Sequence, residues 1–346
     1  MRRTASFVMA GLVLAAMPAG AQEGGHRIVL RDLVRTFGPG AYQGRNNGPE
    51  QTERFSRKVK IGRDGRFSLS NIAGDIVVTA GSGDEVSIEA VKRTRGDRSE
   101  LARVQITVDE RGGRVDVQTD HEQNRRDRNG RSDHVSVDYT VSVPASASVD
   151  LHSVSGTIKV TGVHGSLRSE TISGDVTITD APKLESAKTV SGDVTLSGIT
   201  TDGDLTASSL SGNVRAKGLK ARGVDVGSVS GDIAVSDATC ERLGVKTVSG
   251  AVEYAGGIAK GGRYEINAHS GTIRLLLTNP AGFELNANSF SGSIRSDLPL
   301  TLGAPSSGNE RRRPGPMQHA TRGVFGDGSA TLTIRTFSGD VVISKR

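Results

Sequence analysis

The chain has 346 residues, of which only 35% are hydrophobic and 3% aromatic, with 45 Gly and no Trp. The 44 basic and 38 acidic residues give a formal net charge of +6, and the basic runs at 125–128 and 311–313 contain no interleaved aromatic residues. Such runs favour solvated loops, which makes a nucleic-acid partner improbable. The single Cys, Cys240, excludes an intrachain disulfide, and the turn-like stretch 237–241 around it favours an incidental small residue over a nucleophile.

The first 21 residues are typical of a secretory signal. Arg2 and Arg3 provide the positive start, 7–17 the apolar run, and Ala21 ends a small-residue cleavage site. The apolar run is too short to span a membrane, and no later segment is apolar enough to do so. We therefore expect an exported protein without a transmembrane anchor, located in the periplasm, at the cell surface or outside the cell.

The segment between the signal and the repeats is predicted to contain two parts. Residues 22–54 are predicted as a short helix followed by a flexible linker rich in Gly, Pro and Asn. Residues 55–144 alternate like β-strands, with a hairpin turn at Gly112-Gly113, and we interpret them as a β-rich capping unit. Within this unit, 66–80 contains a degenerate relative of the phrase that dominates the rest of the chain.

That phrase is Ser-Val-Ser-Gly-Asp-Val, which recurs nine times with small variations. Its Ser-Gly steps are separated by 18, 18, 20, 19, 19, 21, 21 and 47 residues. A period near 20 residues indicates stacked structural units rather than independent domains. The predicted repeat corners are Ser155, Gly156, Ser173, Gly174, Ser191, Gly192, Ser211, Gly212, Ser230, Gly231, Ser249, Gly250, Ser270, Gly271, Ser291, Gly292, Ser338 and Gly339.

Positions within a repeat are numbered from the Ser of Ser-Gly as zero. Positions +3 and +5 are mostly apolar, −6 is apolar, −4 is small or branched, and −2 is Ser or Thr in eight of nine copies. This alternation predicts two short strands that meet at a corner, where Gly at +1 carries no Cβ. Leu184 beside Glu185 at −6 indicates a one-residue bulge.

The fold class predicted from these positions is all-β, a parallel β-solenoid with rungs of roughly 20 residues. An antiparallel sandwich is the alternative, but it does not require the same residue class at the same position of every copy. Residues 145–296 are predicted to form the repeats, 297–328 a disordered or loop insertion, and 329–346 the final rung.

The combined features resemble a family of exported bacterial proteins grouped as candidate adhesins, the domain of unknown function DUF4097. The resemblance rests on the signal, on the Arg66–Ile76 stretch, on the Val143-Pro144 step and on the tandem repeat phrase. It covers about residues 55–346. It implies a β-solenoid at the cell envelope and offers no catalytic residues to carry over.

Candidate chemistry is sparse. Asp175 and Asp193 at position +2 should be neighbours one rung apart and are the best candidates for contact with a cation or ligand. The same position holds Thr, Asn or Ala elsewhere, which favours a short turn-forming side chain. His269 occupies the apolar position −1, which predicts a packed His. We predict no catalytic, metal-binding or cofactor-binding residues.

The predicted function is an exported, non-catalytic scaffold, an adhesin or envelope-associated binding protein that uses repeated polar faces. Its partner would be an envelope protein or an anionic polymer, held by many equally spaced contacts. Two alternatives stay open. One is a lyase or hydrolase that acts on a polysaccharide in an acidic groove, and the other is an envelope structural protein that self-associates end to end.

Overall fold

A computed structural model describes residues 49–121, 135–278, 280–301 and 319–346. The described residues are all-β, with 25 strands and one five-residue helix, α1 (Arg98–Ala102). The first strands are β1 (Gln51–Lys60), β2 (Arg66–Ala73), β3 (Ile76–Gly81), β4 (Glu85–Thr94), β5 (Val104–Arg111), β6 (Arg114–His121) and β7 (Ser136–Pro144). The predicted signal and the 26–37 helix lie outside the described residues.

The strands that follow come mostly in pairs, one on each side of a Ser-Gly corner. They are β8 (Ser148–Ser155), β9 (Ile158–Thr161), β10 (Leu167–Ser173), β11 (Val176–Thr179), β12 (Leu184–Ser191), β13 (Val194–Ser197), β14 (Asp204–Ser211), β15 (Val214–Lys217), β16 (Lys220–Ser230), β17 (Ile233–Ser249), β18 (Val252–Gly256), β19 (Arg263–Ser270), β20 (Ile273–Leu277), β21 (Phe283–Ser291), β22 (Ile294–Ser296), β23 (His319–Phe325), β24 (Ala330–Ser338) and β25 (Val341–Lys345).

The strands form two ladders, which we call the first sheet (before the corner) and the second sheet (after it). The first sheet runs β5-β6-β2-β8-β10-β12-β14-β16-β17-β19-β24-β21-β23. The second runs β1-β4-β7-β3-β9-β11-β13-β15-β17-β18-β20-β25-β22. The inner pairings of both sheets are parallel; antiparallel strands lie at both ends of the first sheet and at the β1 end of the second, whose other end, β22, is parallel. The long β17 crosses from the second sheet to the first.

Each first-sheet strand and the second-sheet strand after its corner make one level of the stack. The corner residues pair directly with one another from level to level, as Ser155 does with Ser173 and Ser173 with Ser191. This register of like on like is the one that the repeat phrase predicts. The register shift after Leu184 confirms the predicted bulge, and the antiparallel β5–β6 pair with positive φ at Gly112 and Gly113 confirms the predicted hairpin.

The order of levels in space differs from the order in the chain at both ends. The level β2/β3, the first in sequence, lies between β6/β7 and β8/β9. The level β24/β25, the last in sequence, lies between β19/β20 and β21/β22. Residues 329–346 were predicted to form the final rung. They do form a level, but it is not the last one, because β21 and β22 lie beyond it at the end of the stack.

Three further predictions are corrected. Residues 51–54 belong to β1 rather than to a linker. Residues 319–325 of the predicted insertion form β23, which pairs antiparallel with β21. The predicted capping unit contributes β2, β3, β6 and β7 to the parallel ladders, while β1, β4 and β5 pair antiparallel at the end of the stack.

The core is one continuous cluster of inward side chains from both sheets. In β8, for example, Val149 and Leu151 are buried while the residues between them face outward, as period-two alternation requires. Ten levels share the aligned corner, and with a strand spacing of about 4.8 Å this gives a stack about 43 Å tall. Each outward position of the repeat thus forms a column of side chains that runs along the stack.

Candidate functional site

The corner glycines bring neighbouring levels into close contact. Gly192 has a φ of +146°, and a Cβ there would overlap the carbonyl oxygen of Gly174 in the adjacent level. A Cβ on Gly174 would likewise overlap the carbonyl oxygen of Gly156. A residue with a side chain could neither adopt this backbone easily nor fit the space. In this structure the Gly at +1 therefore has a structural function.

The two candidate acids, Asp175 and Asp193, are neighbours, and both bind backbone. The Asp175 Oδ1 accepts a hydrogen bond of 2.8 Å from the Asp193 N–H, and the Asp193 Oδ1 accepts one of 2.8 Å from the Asn213 N–H. Asp232 continues the series with a bond of 2.8 Å from the Ala251 N–H. Position +2 thus links successive levels wherever it holds Asp or Asn, which explains its preference for short side chains with an acceptor oxygen.

The charge of Asp193 is further neutralised by Arg215, whose Nη1 lies 2.6 Å from the Asp193 Oδ2. Partial burial raises the pKa of the Asp193 carboxyl, but the hydrogen bonds from Asn213 and Arg215 outweigh it and hold the pKa below its usual value. Among the described residues, no group of three or more His, Cys, Asp or Glu side chains is placed to hold a metal ion. The acids at +2 therefore act in this structure as connections between levels.

A second set of connections comes from position −2, whose importance the sequence reasoning missed. Its Ser and Thr side chains are buried, and those of Thr189, Ser209, Ser228 and Ser289 bond to glycine carbonyls. The hydroxyls of Ser153, Thr171, Thr247 and Thr336 are buried without a hydrogen-bond partner. The Thr189 Oγ1 donates to the carbonyl oxygen of Gly174 at 2.9 Å, and the Ser209 Oγ donates to that of Gly192 at 2.8 Å. The signal was present in the sequence as a hydroxyl in eight of nine copies at a position facing the core.

The residue next to it, at position −1, faces outward and is apolar in nearly every level. We call this column the apolar ladder. Nine of its members are between 38% and 53% exposed, and His269 is also exposed. In spatial order the ladder consists of Ile72, Val154, Ile172, Val190, Leu210, Val229, Val248, His269, Phe337 and Phe290.

The prediction of a packed His269 is therefore wrong, since its ring lies on the surface. The His269 and Phe337 rings stack with centroids 5.0 Å apart, and the Phe337 and Phe290 rings stack at 4.8 Å. These distances match the spacing of the levels, because each ring lies over its equivalent in the next strand. One end of the ladder is thus aromatic and the rest is aliphatic.

A shallow groove runs beside the ladder. It consists of two adjoining hollows of about 640 Å³ and 580 Å³ that share Ser208 and Ser209. The ladder forms one wall and the outward position −3 the other, where His152, Glu170 and Lys188 follow one another. The Lys188 Nζ lies 3.5 Å from Glu170, so this wall has mixed charge.

Cys240 lies within β17 rather than in a turn. It is buried, and burial raises the pKa of its thiol to about 12. The thiol is therefore protonated at neutral pH and is a poor nucleophile. No helix among the described residues is both long and apolar enough to cross a membrane.

The comparisons with known proteins identify the family. The profile described as Toastrack DUF4097 matches residues 65–344, which confirms the resemblance drawn from the repeat phrase. No curated protein gives a significant match.

Solved structures of low identity are also similar to the chain. A candidate adhesin from Bacteroides fragilis is 12% identical, with 85% of this chain and 97% of that chain covered and a TM-score of 0.41. A candidate lipid-binding protein from Parabacteroides distasonis is 15% identical, with 87% and 98% covered and a TM-score of 0.38. A candidate cell adhesion protein from Clostridium sporogenes is 9% identical, with 86% and 100% covered and a TM-score of 0.24.

Proposed function

We propose that this chain, which belongs to the Toastrack DUF4097 family, is an exported, non-catalytic scaffold that binds another macromolecule along the side of its stack. In this proposal the two ladders form a parallel β-solenoid with rungs of roughly 20 residues. The observation that carries the proposal is the apolar ladder with the groove beside it.

An exposed apolar column of this length is unusual for a protein that is free in water. The ladder crosses ten levels, or about 43 Å, and contiguous exposed apolar surface of this extent is typical of interaction sites. Each level adds one small contact, so affinity would accumulate from many weak contacts rather than from one deep pocket.

The apolar character of the ladder favours a different partner from the polar faces predicted from the sequence. The sequence predicted repeated polar faces, which would suit an envelope protein or an anionic polymer equally. The aliphatic and aromatic ladder favours a protein, because an anionic polymer offers little apolar surface to cover it. The wall at −3, with Glu170 between His152 and Lys188, offers mixed charge instead of a uniformly basic track.

The bonding of Asp175 and Asp193 supports a non-catalytic reading over a polysaccharide lyase or hydrolase. Their Oδ1 atoms accept backbone hydrogen bonds, and Arg215 binds the remaining oxygen of Asp193. General acid–base work would require a carboxyl free to exchange its proton with substrate. Incubation with acidic and neutral glycans should therefore produce no new reducing ends, and turnover lost on Asp193→Ala would contradict the proposal.

Export is the other part of the proposal. The predicted signal at 1–21 would direct the chain to the periplasm or the cell surface, with cleavage near Ala21. N-terminal sequencing of the protein purified from the envelope fraction would test this. A chain that retains Arg2 and Arg3 and stays in the cytoplasm would contradict it.

Binding along the ladder can be tested by co-sedimentation of the mature chain, 22–346, with isolated cell envelopes. We expect the wild type to bind, Ile172→Lys/Leu210→Lys to lose binding, and the control Thr177→Lys/Ala234→Lys to bind normally. The control adds the same charge at outward positions of the second sheet. Because burial of apolar groups is not screened by salt, binding should persist at high ionic strength. Equal co-sedimentation of all three proteins would contradict the proposal.

A further inference from the structure

The geometry points to a second copy of this chain as the partner that covers the apolar ladder. We propose that two chains pair side by side, ladder against ladder. This inference deepens the proposed function by naming a second copy as the macromolecule that the ladder binds, so that envelopes would bind the chain through the copies they hold. It rests on that proposal only in taking the ladder to be a binding surface. It differs from the end-to-end association considered from the sequence.

The first argument is the spacing of the ladder. Corner residues pair in register from Ala73 to Ser291, so the ladder presents one side chain at every strand step, about 4.8 Å apart. A partner that contacts every level must present apolar groups with the same repeat over about 43 Å. A second copy has that repeat by construction, whereas an ordinary helix or a globular surface does not.

The second argument is the exposed area. The nine apolar members are 38% to 53% exposed. Together they leave on the order of 800 Å² accessible, which is about what each partner contributes to a standard protein–protein interface. The ladder alone is therefore large enough to support a specific dimer.

The third argument is the absence of bulk on the side of the ladder away from the −3 wall. The next position, zero, is an exposed Ser in the repeats, as at Ser155, Ser173 and Ser211. A column of small polar side chains lets a second surface approach closely without clashes. It also gives the contact a polar rim that can remain hydrated, as the edges of interfaces usually are.

The fourth argument is that other routes to self-association are less open. In the first sheet the parallel strands are covered at one end by the antiparallel strand β5 and at the other by β23. In the second sheet β1 forms one end, and its side chains include Arg57, Lys58 and Lys60, charges that discourage strand pairing. The other end is β22, an edge strand of only three residues, which offers few backbone groups for pairing. Pairing through the ladders uses the same surface on both copies, so it closes at a dimer rather than a filament.

The test is sedimentation of the mature chain over a range of concentrations up to about 100 μM, where a Kd of about 1 μM gives almost complete dimer. We expect a dimer for the wild type and for Thr177→Lys/Ala234→Lys. We expect Ile172→Lys/Leu210→Lys to weaken the Kd by at least about 100-fold, because pairing would bury unpaired ammonium groups. At about 10 μM the wild type should then be mostly dimer and this variant mostly monomer. Circular dichroism should show that all three are folded, since the substituted positions face outward.

A second measurement does not depend on disrupting the ladder. Ser211→Cys places a thiol beside the ladder, and a short bis-maleimide should link two copies through it. Thr177→Cys, on the other sheet, should give no linked dimer. The native Cys240 will not interfere, because it is buried.

The outcomes separate this inference from the proposed function. A wild type that stays monomeric throughout the range would overturn the second copy as partner, as would a dimer that persists in Ile172→Lys/Leu210→Lys. If the wild type is monomeric and still sediments with envelopes, while Ile172→Lys/Leu210→Lys does not, the scaffold proposal stands and the partner is another protein. If the monomeric wild type sediments with vesicles of pure phospholipid as well as it does with envelopes, the ladder faces a lipid surface and the self-pairing inference is wrong.

Discussion

At each corner of the stack, two adjacent columns of the first sheet reverse the usual distribution of polarity. Position −2 carries hydroxyl side chains and is buried, whereas position −1 carries aliphatic or aromatic side chains and is exposed. The buried hydroxyls of Thr189 and Ser209 bond to glycine carbonyls that neighbouring levels leave inside the corner. In the exposed column, the aromatic members stack on one another and the aliphatic members face solvent. The comparison teaches that part of the inner column bonds neighbouring levels together, while the outer one is available for a partner.

The largest effect is expected where the inner column meets the glycines. Gly192→Ala places a Cβ against the carbonyl of Gly174 at a φ of +146°, and we expect it to lower the free energy of unfolding by more than about 3 kcal/mol. Gly198→Ala is the matched control, because Gly198 has a φ of +65° but open space around it. It should cost only about 1–2 kcal/mol. Equal unfolding midpoints in urea for the two variants would show that the corner is not tightly packed.

The hydroxyl column itself should show an intermediate effect. Ser209→Ala removes the bond to the Gly192 carbonyl, and we expect a loss of about 1–2 kcal/mol in the free energy of unfolding. Ser153 is equally buried, but its Oγ has no hydrogen-bond partner in the structure. Ser153→Ala should therefore be close to neutral or stabilising. If urea unfolding ranks the two variants the other way round, the hydroxyl bonds are not what selects Ser and Thr at −2.

The acids at +2 should make stability depend on pH. The pKa of Asp193 is lowered in the folded chain, so its contribution is present above the unfolded value of about 4 and is lost as the pH falls through the folded value. At pH 7 Asp193→Asn should unfold at a lower urea concentration than the wild type, because it keeps the acceptor oxygen that Asn213 uses in the next level but loses the charge paired with Arg215. Between pH 5 and pH 3 the variant should lose less stability than the wild type. If the free energy of unfolding falls equally with pH in the wild type and in Asp193→Asn, Asp193 does not contribute to the loss of stability in acid.

The smallest effect on stability is expected in the outer column. Leu210→Ser should change the free energy of unfolding by no more than about 0.5 kcal/mol in dilute solution, because Leu210 is 50% exposed. Leu205→Ala in the same strand is the positive control, since Leu205 is buried and its loss should cost about 2–5 kcal/mol. A large loss of thermal stability for Leu210→Ser would mean that the ladder serves the fold rather than a partner.

Much of the repeat geometry could be predicted from the sequence, because identical positions recur with a nearly constant period. The pairing of Ser155 with Ser173 and the bulge at Leu184 both follow from that recurrence. The exposure of position −1 was missed because burial was inferred from the apolar character of the residue and not from the side of the strand on which the residue lies. In a strand the side of a residue is fixed by alternation, so a buried −4 places −2 inside and −1 outside whatever their chemistry.

The order of levels at the ends could not be predicted in the same way. The repeat phrase specifies which residues can pair, but it is equally satisfied by any order of levels. The 47-residue interval before Ser338 shows that the chain departs from the stack and returns, and it does not show on which side of β21 it returns. The Asp175–Asp193 neighbourhood was predicted correctly, but the backbone bonds that occupy both acids depend on the close approach of levels at the corner glycines.

The interior position of β24 and β25 has a consequence for synthesis. A simple coil of strands could wind progressively as it is made, each new turn settling on the one before. Here β24 and β25 lie between two levels that precede them in the chain, so β21 and β22 cannot pair with β24 and β25 until these later strands have been made. A protein shortened by a premature stop before β24 would thus lack an inner layer rather than an outer one, and β21 and β22 would lose their parallel neighbours.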